Sequence, residues 1–205
     1  MQRFNVHPQT PQLRLIKQIS DRLGSGDIGA VPTDSCYALV TTLGHYEGME
    51  RIRKIRGLDD RHLFTVLCAD LANVSQYAKV GNVAYRMLKQ CLPGPYTFIF
   101  KATRQMPRRL MHEKRKEVGL RVPDHRVLQS ILSELDEPLV SVSLIPQYES
   151  QPLMHADDIL EKLAGQLDFV VDAEPCSAEE TTVINVANDV PEIIRQGKGD
   201  SAFLE

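Results

Sequence analysis

IGAVPTDSCYALVTTL, residues 28–43, consists of two short apolar runs joined by a polar turn. The first run ends where Pro32 removes a backbone donor, so residues 28–31 predict a short buried strand and residues 36–43 predict its neighbour. The turn between them, Pro-Thr-Asp-Ser, lies at a strand end and Tyr37 follows it closely. Hydroxyl groups at such a position suit a small polar ligand such as an amino acid, although an ordinary polar turn has the same composition.

Helices and strands alternate on both sides of this segment. We expect a first helix that begins with a Thr10 cap and Pro11 and ends at Gly24, and a later helix that is capped by Asp124. Further helices are expected over residues 46–56, 71–77, 83–91 and 156–167. Further strands are expected over residues 64–68, 97–101, 118–122, 139–143, 169–172, 182–186 and 192–195, the last two as a hairpin whose turn holds Asn188 and Asp189.

This order of elements predicts an α/β fold. Several links between strands are too short for crossover connections, so both parallel and antiparallel neighbours are expected. The length of 205 residues suits one hydrophobic core, and no linker-like segment divides the chain. We therefore expect a single-domain twisted mixed sheet with flanking helices over residues 1–205, with its core at about residues 10–199.

The composition is that of an average globular protein. Apolar residues make up 42% and charged residues 25% of the chain, far from the balance of a disordered protein. No apolar run approaches the roughly 20 residues that cross a bilayer, and the first residues lack a secretory signal, so a cytoplasmic protein without a membrane partner is expected. The four cysteines form no Cys-x-x-Cys pair and the histidines show no metal-ligand spacing, so neither disulfides nor a dedicated metal site is expected.

Charges are segregated along the chain. Residues 101–126 contain nine basic residues and three acidic ones, whereas residues 134–180 contain one basic residue and twelve acidic ones. A further basic cluster lies at residues 51–61. If the two basic segments meet in space, they form a positive surface suited to polyanions.

Two of these basic residues, Lys54 and Arg56, lie near the end of the predicted second helix. Where the helix unwinds at Gly57, both side chains could converge on one anion. The alternative interpretation is a solvated basic face, which is the commoner origin of such a pair.

Three later motifs carry polar groups at strand positions. The turn PGPYT, residues 93–97, holds Thr97 at the start of a strand, although a hairpin turn would look the same. Arg121 interrupts an apolar strand, so its charge must be paired with an internal carboxylate or face a ligand cavity. Ser141 and Ser143 lie two residues apart in a predicted strand, which places both hydroxyls on one face.

Taken in order along the chain, these motifs resemble the YrdC/YciO family of threonylcarbamoyl-adenylate synthases. The stretches that carry the resemblance, between about Ile28 and Gly199, are GAVPTDSCYAL, KIR, PGPYTFIF, GLRVPDH, SVS, TTVINV and IIRQG. The resemblance implies a YrdC-like domain whose twisted sheet encloses a positive cavity. It also implies that L-threonine, bicarbonate and ATP are combined into threonylcarbamoyl-AMP and pyrophosphate, for tRNA modification.

The resemblance further implies a role for each motif residue. Lys54 and Arg56 would be catalytic and would straddle the phosphates and the carbamate, because an anion attacks an anion and fixed cations must neutralise the developing charge. Mg²⁺ would accompany ATP, with phosphates and water as its main ligands. The binding residues implied are Thr33, Tyr37 and Arg121 for threonine, Ser141, Ser143, Thr182 and Arg195 for the nucleotide, and Thr97 as support for the pocket.

Two stretches depart from the synthases of this family. The synthases have a proline-rich stretch after Lys-x-Arg, where this chain has Gly57-Leu58-Asp59-Asp60. They also carry Ser-x-Asn where this chain has Ser143-Leu144-Ile145. Ile145 cannot donate a hydrogen bond to a phosphate, and this departure is shared with the YciO branch. Two functions are therefore expected: a weak or substrate-shifted synthase, that is, a nucleotidyltransferase, or a protein that binds structured RNA, either tRNA or double-stranded RNA, through the basic cavity.

Overall fold

The computed structural model describes residues 1–188 and 190–204, and within them ten strands form one mixed sheet. Their order across the sheet is β1-β8-β2-β3-β7-β4-β6-β5-β9-β10. The strands are β1 Gln2–Asn5, β2 Gly29–Val31, β3 Ala38–Thr42, β4 Thr65–Leu67, β5 Tyr96–Lys101, β6 Glu117–Arg121, β7 Leu139–Ser143, β8 Phe169–Asp172, β9 Thr182–Asn185 and β10 Glu192–Arg195. The helices are α1 Leu13–Gly24, α2 Tyr46–Arg56, α3 Leu71–Tyr77, α4 Asn82–Cys91, α5 Arg126–Leu135 and α6 Ala156–Lys162.

The α/β fold with a twisted mixed sheet and flanking helices, predicted from the sequence, is confirmed. β2 and β3 pair antiparallel across the polar turn, with Gly29 opposite Val40. β4 pairs parallel with β6 and antiparallel with β7, so strand direction is mixed as expected. β9 and β10 form the expected antiparallel hairpin. Asn188 lies in its turn region, and Asp189 lies outside the described residues.

Two predicted helix caps are wrong. Thr10 does not cap α1, because its hydroxyl lies 2.9 Å from Nδ1 of His7; the helix begins at Leu13 with Gln12 as its N-cap residue. Asp124 does not cap α5, because Nδ1 of His125 accepts from the Leu128 amide at 3.5 Å instead. The N-cap residue lies two positions after the expected one in α1 and one position after it in α5.

Two other elements differ from the sequence-based expectation. α6 ends at Lys162 rather than near residue 167, and Gly165 in the following turn has a φ of 74°, a left-handed conformation that suits glycine. The first strand, β1, was not predicted at all. It pairs parallel with β8, and only the side chain of Phe4 among its four residues is buried. This edge strand is short and mostly exposed, so its sequence has almost no hydrophobic pattern from which a strand could be predicted.

Two apolar cores lie on the sheet. One contains the buried side chains of α2, α3, α4 and α6 with Phe98, Phe100 and Leu120. The other contains the buried side chains of α1 and α5 with Val40 and Leu139. No helix among residues 1–188 and 190–204 is both long enough and apolar enough to cross a membrane.

Side-chain alternation along the central strands places the candidate site. In β6, Val118 and Leu120 belong to the first core, whereas Gly119 and Arg121 line a cavity. In β7, Ser141 and Ser143 share the face of Leu139, as their spacing predicted, and both line the same cavity. The sheet therefore presents polar residues on the part of this face beyond α1 and α5.

Candidate functional site

A cavity of about 320 Å³ lies over the central strands of the sheet. Strands β4 to β7 and the hairpin β9–β10 form much of its wall, and the end of α2 and the loop after it complete one side. The polar and charged residues that line it are Arg56, His62, Thr65, Thr97, Arg115, Glu117, Arg121, Ser141, Ser143, Glu180, Thr181, Asn185 and Arg195.

Arg56 reaches the cavity from the last turn of α2. Its Nη1 donates to the backbone carbonyl of Ile145, which fixes the guanidinium next to the β7 end. Its Nε is buried and has no acceptor within the described residues, so one donor of this group is unused by the protein. Desolvation lowers the pKa of Arg56, and the charge of Glu180 opposes this effect.

Arg121 lies at the end of β6 and is 6% exposed. Its Nη2 donates to the carboxylate of Asp34, to Oγ1 of Thr33 at 3.1 Å and to Oγ of Ser35 at 3.0 Å. Both alternatives derived from the sequence therefore hold, since this charge is paired with an internal carboxylate and also lines the cavity. The ion pair ties the β2–β3 turn to the central sheet.

Glu180 links two other cavity residues. Its carboxylate accepts from Oγ of Ser143 at 2.7 Å and from Nη1 of Arg195 at 2.8 Å. Arg195 also donates to the carbonyl of Thr181, from Nε at 3.2 Å and from Nη2 at 3.0 Å. The loop before β9, the hairpin strand β10 and the end of β7 therefore meet at this carboxylate.

Glu117 is the third acidic residue that pairs with basic groups at the cavity. Glu117 is 5% exposed and accepts from Nζ of Lys101 at 2.9 Å and from Nε of Arg115 at 3.2 Å. Of the four guanidinium groups that line the cavity, those of Arg115, Arg121 and Arg195 thus each have a carboxylate partner. Within residues 1–188 and 190–204, the guanidinium of Arg56 has none.

Hydroxyl groups line the cavity between these charges. The hydroxyls of Thr97 and Thr181 lie 2.9 Å apart and join β5 to the residue before β9. Ser141 is 5% exposed and donates to the carbonyl of Thr65 at 3.2 Å. Thr97, Ser141 and Ser143 therefore line the same cavity as Arg56, Arg121 and Arg195.

Four other residues singled out from the sequence do not line the cavity. Lys54 is exposed on α2. Tyr37 is fully buried in the core, donates to the carbonyl of Val171 at 3.2 Å, and has a pKa raised mainly by burial. Thr182 is fully buried and donates to the carbonyl of Gly199 at 2.6 Å, on the opposite face of β9 from Val183. Thr33 is buried behind the cavity wall, where its hydroxyl accepts from Arg121 and donates to the carbonyl of Cys36 at 2.7 Å.

The sequence reasoning missed Glu180, Thr181, Glu117 and Arg115. Thr181 and Thr182 are adjacent, and side chains of adjacent strand residues point to opposite faces of the sheet. The sequence therefore indicates that one of the two threonines faces the cavity, but not which one. Glu117 directly precedes a predicted apolar strand in a basic segment, where an acidic residue indicates pairing with a neighbouring cation. Glu180 lies in a loop, and nothing in its local sequence indicates that it meets β7.

Next to the cavity lies a second hollow, which we call the basic cleft, of about 820 Å³. It is formed by the start of α2, the loop at residues 60–63 and residues 108–116, so the two basic segments do meet in space. Leu63 lines both hollows. The charged residues of the basic cleft are Glu50, Arg53, Asp60, Arg61, Arg108, Arg109, Glu113, Lys114 and Lys116.

No group of three His, Cys, Asp or Glu side chains within the described part of the chain is placed to hold a metal ion. The four cysteines are free and buried. Burial raises the pKa of Cys91 to about 11 and that of Cys176 to about 12, so these thiols stay protonated near neutral pH.

The chain is similar to a set of known proteins. Residues 21–197 match the Sua5/YciO/YrdC family model, whose description is "Telomere recombination". YciO of Escherichia coli is 41% identical over 96% of both chains, and the crystal structure of E. coli YciO superposes with a TM-score of 0.93 over 97% of both chains.

More distant relatives include threonylcarbamoyl-AMP synthase from Bos taurus, which is 25% identical over 86% of this chain and 62% of the relative. The crystal structure of P. abyssi Sua5 complexed with L-threonine has the same fold, with a TM-score of 0.88, 20% identity, and coverage of 96% of this chain and 58% of that one.

Proposed function

The chain belongs to the Sua5/YciO/YrdC family, and on that premise we propose that it is a nucleotide-binding, adenylate-forming enzyme: a threonylcarbamoyl-AMP synthase of low activity or shifted substrate. The observation that carries the proposal is that Arg56, Arg121 and Arg195, which are far apart in sequence, line one cavity with the hydroxyls of Ser141 and Ser143. The proposed product is taken from the distant relative that is a threonylcarbamoyl-AMP synthase, and the proposed substrate L-threonine from the Sua5 structure that contains it.

In the proposed reaction, L-threonine and bicarbonate condense to a carbamate with loss of water. A carbamate oxygen then forms a bond to the α-phosphorus of ATP, and the bond from that phosphorus to the bridging oxygen of pyrophosphate breaks. Negative charge accumulates on the phosphoryl oxygens, and the main contribution of the protein is fixed positive charge and hydrogen-bond donors around them.

Arg56 is the cavity residue best suited to this role. Its charge is not offset by an ion pair in the described residues, and its buried Nε is an unused donor. The proposed catalytic pair is completed by Lys54, whose exposed side chain would have to turn toward the cavity mouth to take part. Experiment must therefore separate these two cations.

The remaining residues divide between the two ends of the ligand. Arg121, held beside Thr33 and Ser35, would donate to the threonine carboxylate. Thr97, Ser141, Ser143 and Arg195 would hold the nucleotide. Tyr37 and Thr182 would act indirectly, by fixing the backbone through their buried hydrogen bonds.

ATP would enter with Mg²⁺ as part of the substrate. The cavity carboxylates Glu117 and Glu180 already bind basic side chains, so the donor set favours a metal that is held by phosphates and water.

The proposal is tested by incubating the purified protein with L-threonine, bicarbonate and Mg²⁺-ATP. We expect pyrophosphate release together with threonylcarbamoyl-AMP, identified by mass spectrometry, and loss of both in the Arg56→Ala variant. Pyrophosphate release no higher than that of Arg56→Ala, or release that does not depend on threonine and bicarbonate, would contradict the proposal.

A second candidate function, binding of structured RNA, is favoured by the basic cleft. Arg61, Arg108, Arg109, Lys114 and Lys116 line the cleft, and none of them forms an ion pair within the described residues. The Arg109 guanidinium also stacks 4.8 Å from the ring centre of Tyr46, which preorganises a flat cation at the cleft wall. Such a surface suits the phosphates of tRNA or double-stranded RNA.

This second function predicts RNA affinity that falls steeply with salt. Fluorescence anisotropy with labelled tRNA and duplex RNA should show a loss of at least about tenfold between about 50 and 200 mM salt. Replacing Arg108 and Lys114 together by Glu should reduce the affinity, whereas the same change at Arg14 and Lys17, which are exposed on α1, should not. A flat salt response, or equal loss in both double variants, would rule out the cleft as the binding surface.

A further inference from the structure

The carboxylate of Glu180 occupies the donors that a bound phosphate would use. It accepts from the hydroxyl of Ser143 at 2.7 Å and from the guanidinium of Arg195 at 2.8 Å. Both donors belong to the group of residues to which the proposed function assigns the nucleotide. A carboxylate and a phosphate are alike in charge and in the hydrogen bonds they accept, so they compete for the same partners.

The charge balance of the cavity shows what this competition does. Arg115 and Arg121 are already paired with Glu117 and Asp34. If Glu180 were uncharged, Arg195 would join Arg56 as a second cation without a carboxylate partner. Two such cations can neutralise a polyphosphate far better than one, because the attraction between opposite charges in a partly buried site is several times stronger than in water.

We propose that Glu180 is a specificity-determining residue: an internal anion that competes with phosphate at Ser143 and Arg195 and lowers the affinity of the cavity for polyphosphate ligands. This inference rests on the proposed function, because it takes the cavity as the nucleotide site. The cavity would then favour ligands that carry little negative charge at the end that lies near Ser143 and Arg195. A ligand that presents a hydroxyl there can donate to Glu180, whereas a phosphate oxygen must displace it.

The side chain of Glu180 can be changed without disturbing its loop. It is 30% exposed, and the backbone of the same residue is held independently, since its carbonyl accepts from the Lys198 amide at 2.9 Å. Glutamine has the same shape and keeps an acceptor for Ser143 but carries no charge. Glu179 precedes it, is exposed and lies outside the cavity lining, so Glu179→Gln is the matched control for loss of one negative charge.

The experiment is a calorimetric titration of the wild type, Glu180→Gln, Glu180→Ala and Glu179→Gln with ATP, inorganic pyrophosphate and adenosine. Each titration is done in the presence of a chelator and again with Mg²⁺. We expect Glu180→Gln to bind ATP and pyrophosphate at least about tenfold more tightly than the wild type and Glu179→Gln do, with adenosine affinity unchanged. Circular dichroism confirms that the variants are folded, and Glu180→Ala should reproduce the gain.

Each outcome separates this inference from the function on which it rests. Equal or weaker binding of both anions by Glu180→Gln overturns the inference while leaving nucleotide binding by the wild type intact, and weaker binding of Mg²⁺-ATP would make Glu180 a metal ligand instead. Tighter pyrophosphate binding by Glu180→Gln, with no variant binding ATP or adenosine, would support the internal anion and contradict the nucleotide site. Absence of binding in every variant would overturn both.

Discussion

The Arg53 guanidinium lies 4.8 Å from the ring centre of Phe64 and donates to the carbonyls of Asp59 at 2.6 Å and His62 at 3.0 Å. This buried residue clamps the loop that connects α2 to β4, and that loop separates the cavity from the basic cleft. A helix with several basic residues therefore uses them differently. Arg51 pairs with Asp168, Arg53 holds the loop, and Arg56 enters the cavity.

Replacing Arg53 by Met should destabilise the protein. The variant leaves two carbonyls without a donor and removes the cation–π contact, for a loss of about 1 to 3 kcal/mol in the free energy of unfolding measured with urea. Lys54→Met, in the same turn but exposed, is the control and should change it by less than about 0.5 kcal/mol. Equal effects would mean that the clamp contributes nothing.

Arg56→Ala and Lys54→Ala should separate the two members of the proposed catalytic pair. Because Arg56 lines the cavity and Lys54 does not, we expect the first change to lower the rate of pyrophosphate release by about 10² or more and the second by less than about tenfold. Steady-state rates at saturating ATP and threonine make the comparison. A comparable loss in Lys54→Ala would show that its side chain moves into the site during the reaction.

Ile145→Asn should raise threonylcarbamoyl-AMP synthesis. The backbone of Ile145 already positions Arg56, and an amide at this position would add a donor beside it, worth up to about 10² to 10³ in rate. Ile145→Leu, which stays apolar, is the control, and RNA affinity should be the same in both variants. If the Asn and Leu variants have equal rates, the loss of activity is spread over other residues.

Thr182→Val should lower the stability of the fold, whereas Thr181→Val should weaken ligand binding. Thr182 donates to the Gly199 carbonyl at 2.6 Å and accepts from the Gly197 amide at 3.0 Å, so its loss should cost about 1 to 3 kcal/mol of unfolding free energy. Thr181 faces the cavity beside Thr97, so its loss should instead weaken ATP binding about tenfold. Urea unfolding and calorimetry distinguish them, and the reverse pattern would mean that β9 presents its other face to the ligand.

His125→Asn should reduce the sensitivity of the fold to acid. The pKa of His125 is lowered from its usual value of 6.5, mainly because the ring is buried. The nearby carboxylates oppose this effect only in part; they are Glu174, 3.4 Å from Nε2, Asp34 and Asp124. The unfolded state therefore binds the proton more readily, and stability falls as the pH drops below about 6.5. Asn keeps an acceptor for the helix cap but does not titrate. Unfolding free energies at neutral and acidic pH should differ less in the variant; an equal difference would contradict this.

Much of the fold could be predicted because local pattern and tertiary packing agree. The bounds of α2, α3, β7, β8 and β10 match those expected. In α2, for example, an apolar period is followed by Gly57 in a left-handed conformation. The order of strands could not be predicted. β8 lies between β1 and β2, and its pairing with both depends on contacts between distant segments that no local pattern records.

Taken residue by residue, the site was most readable where a residue type was out of place. Arg121 in an apolar strand and the serines two apart in β7 gave usable signals. Tyr37 and Thr182 gave the same kind of signal, yet their hydroxyls are satisfied inside the protein. Glu180 gave none, because its partners lie 37 and 15 residues away and only the folded chain brings them to it.

The position of β8 also bears on how the chain is made. β1 and β2 leave the ribosome early, but the strand between them ends at Asp172, so this side of the sheet stays open while the intervening segment of about 140 residues is synthesised. Such distant pairings close slowly. Until β8 arrives, the backbone edge of β2 is exposed to other nascent chains, and this half of the sheet cannot be completed before residue 172 has been synthesised.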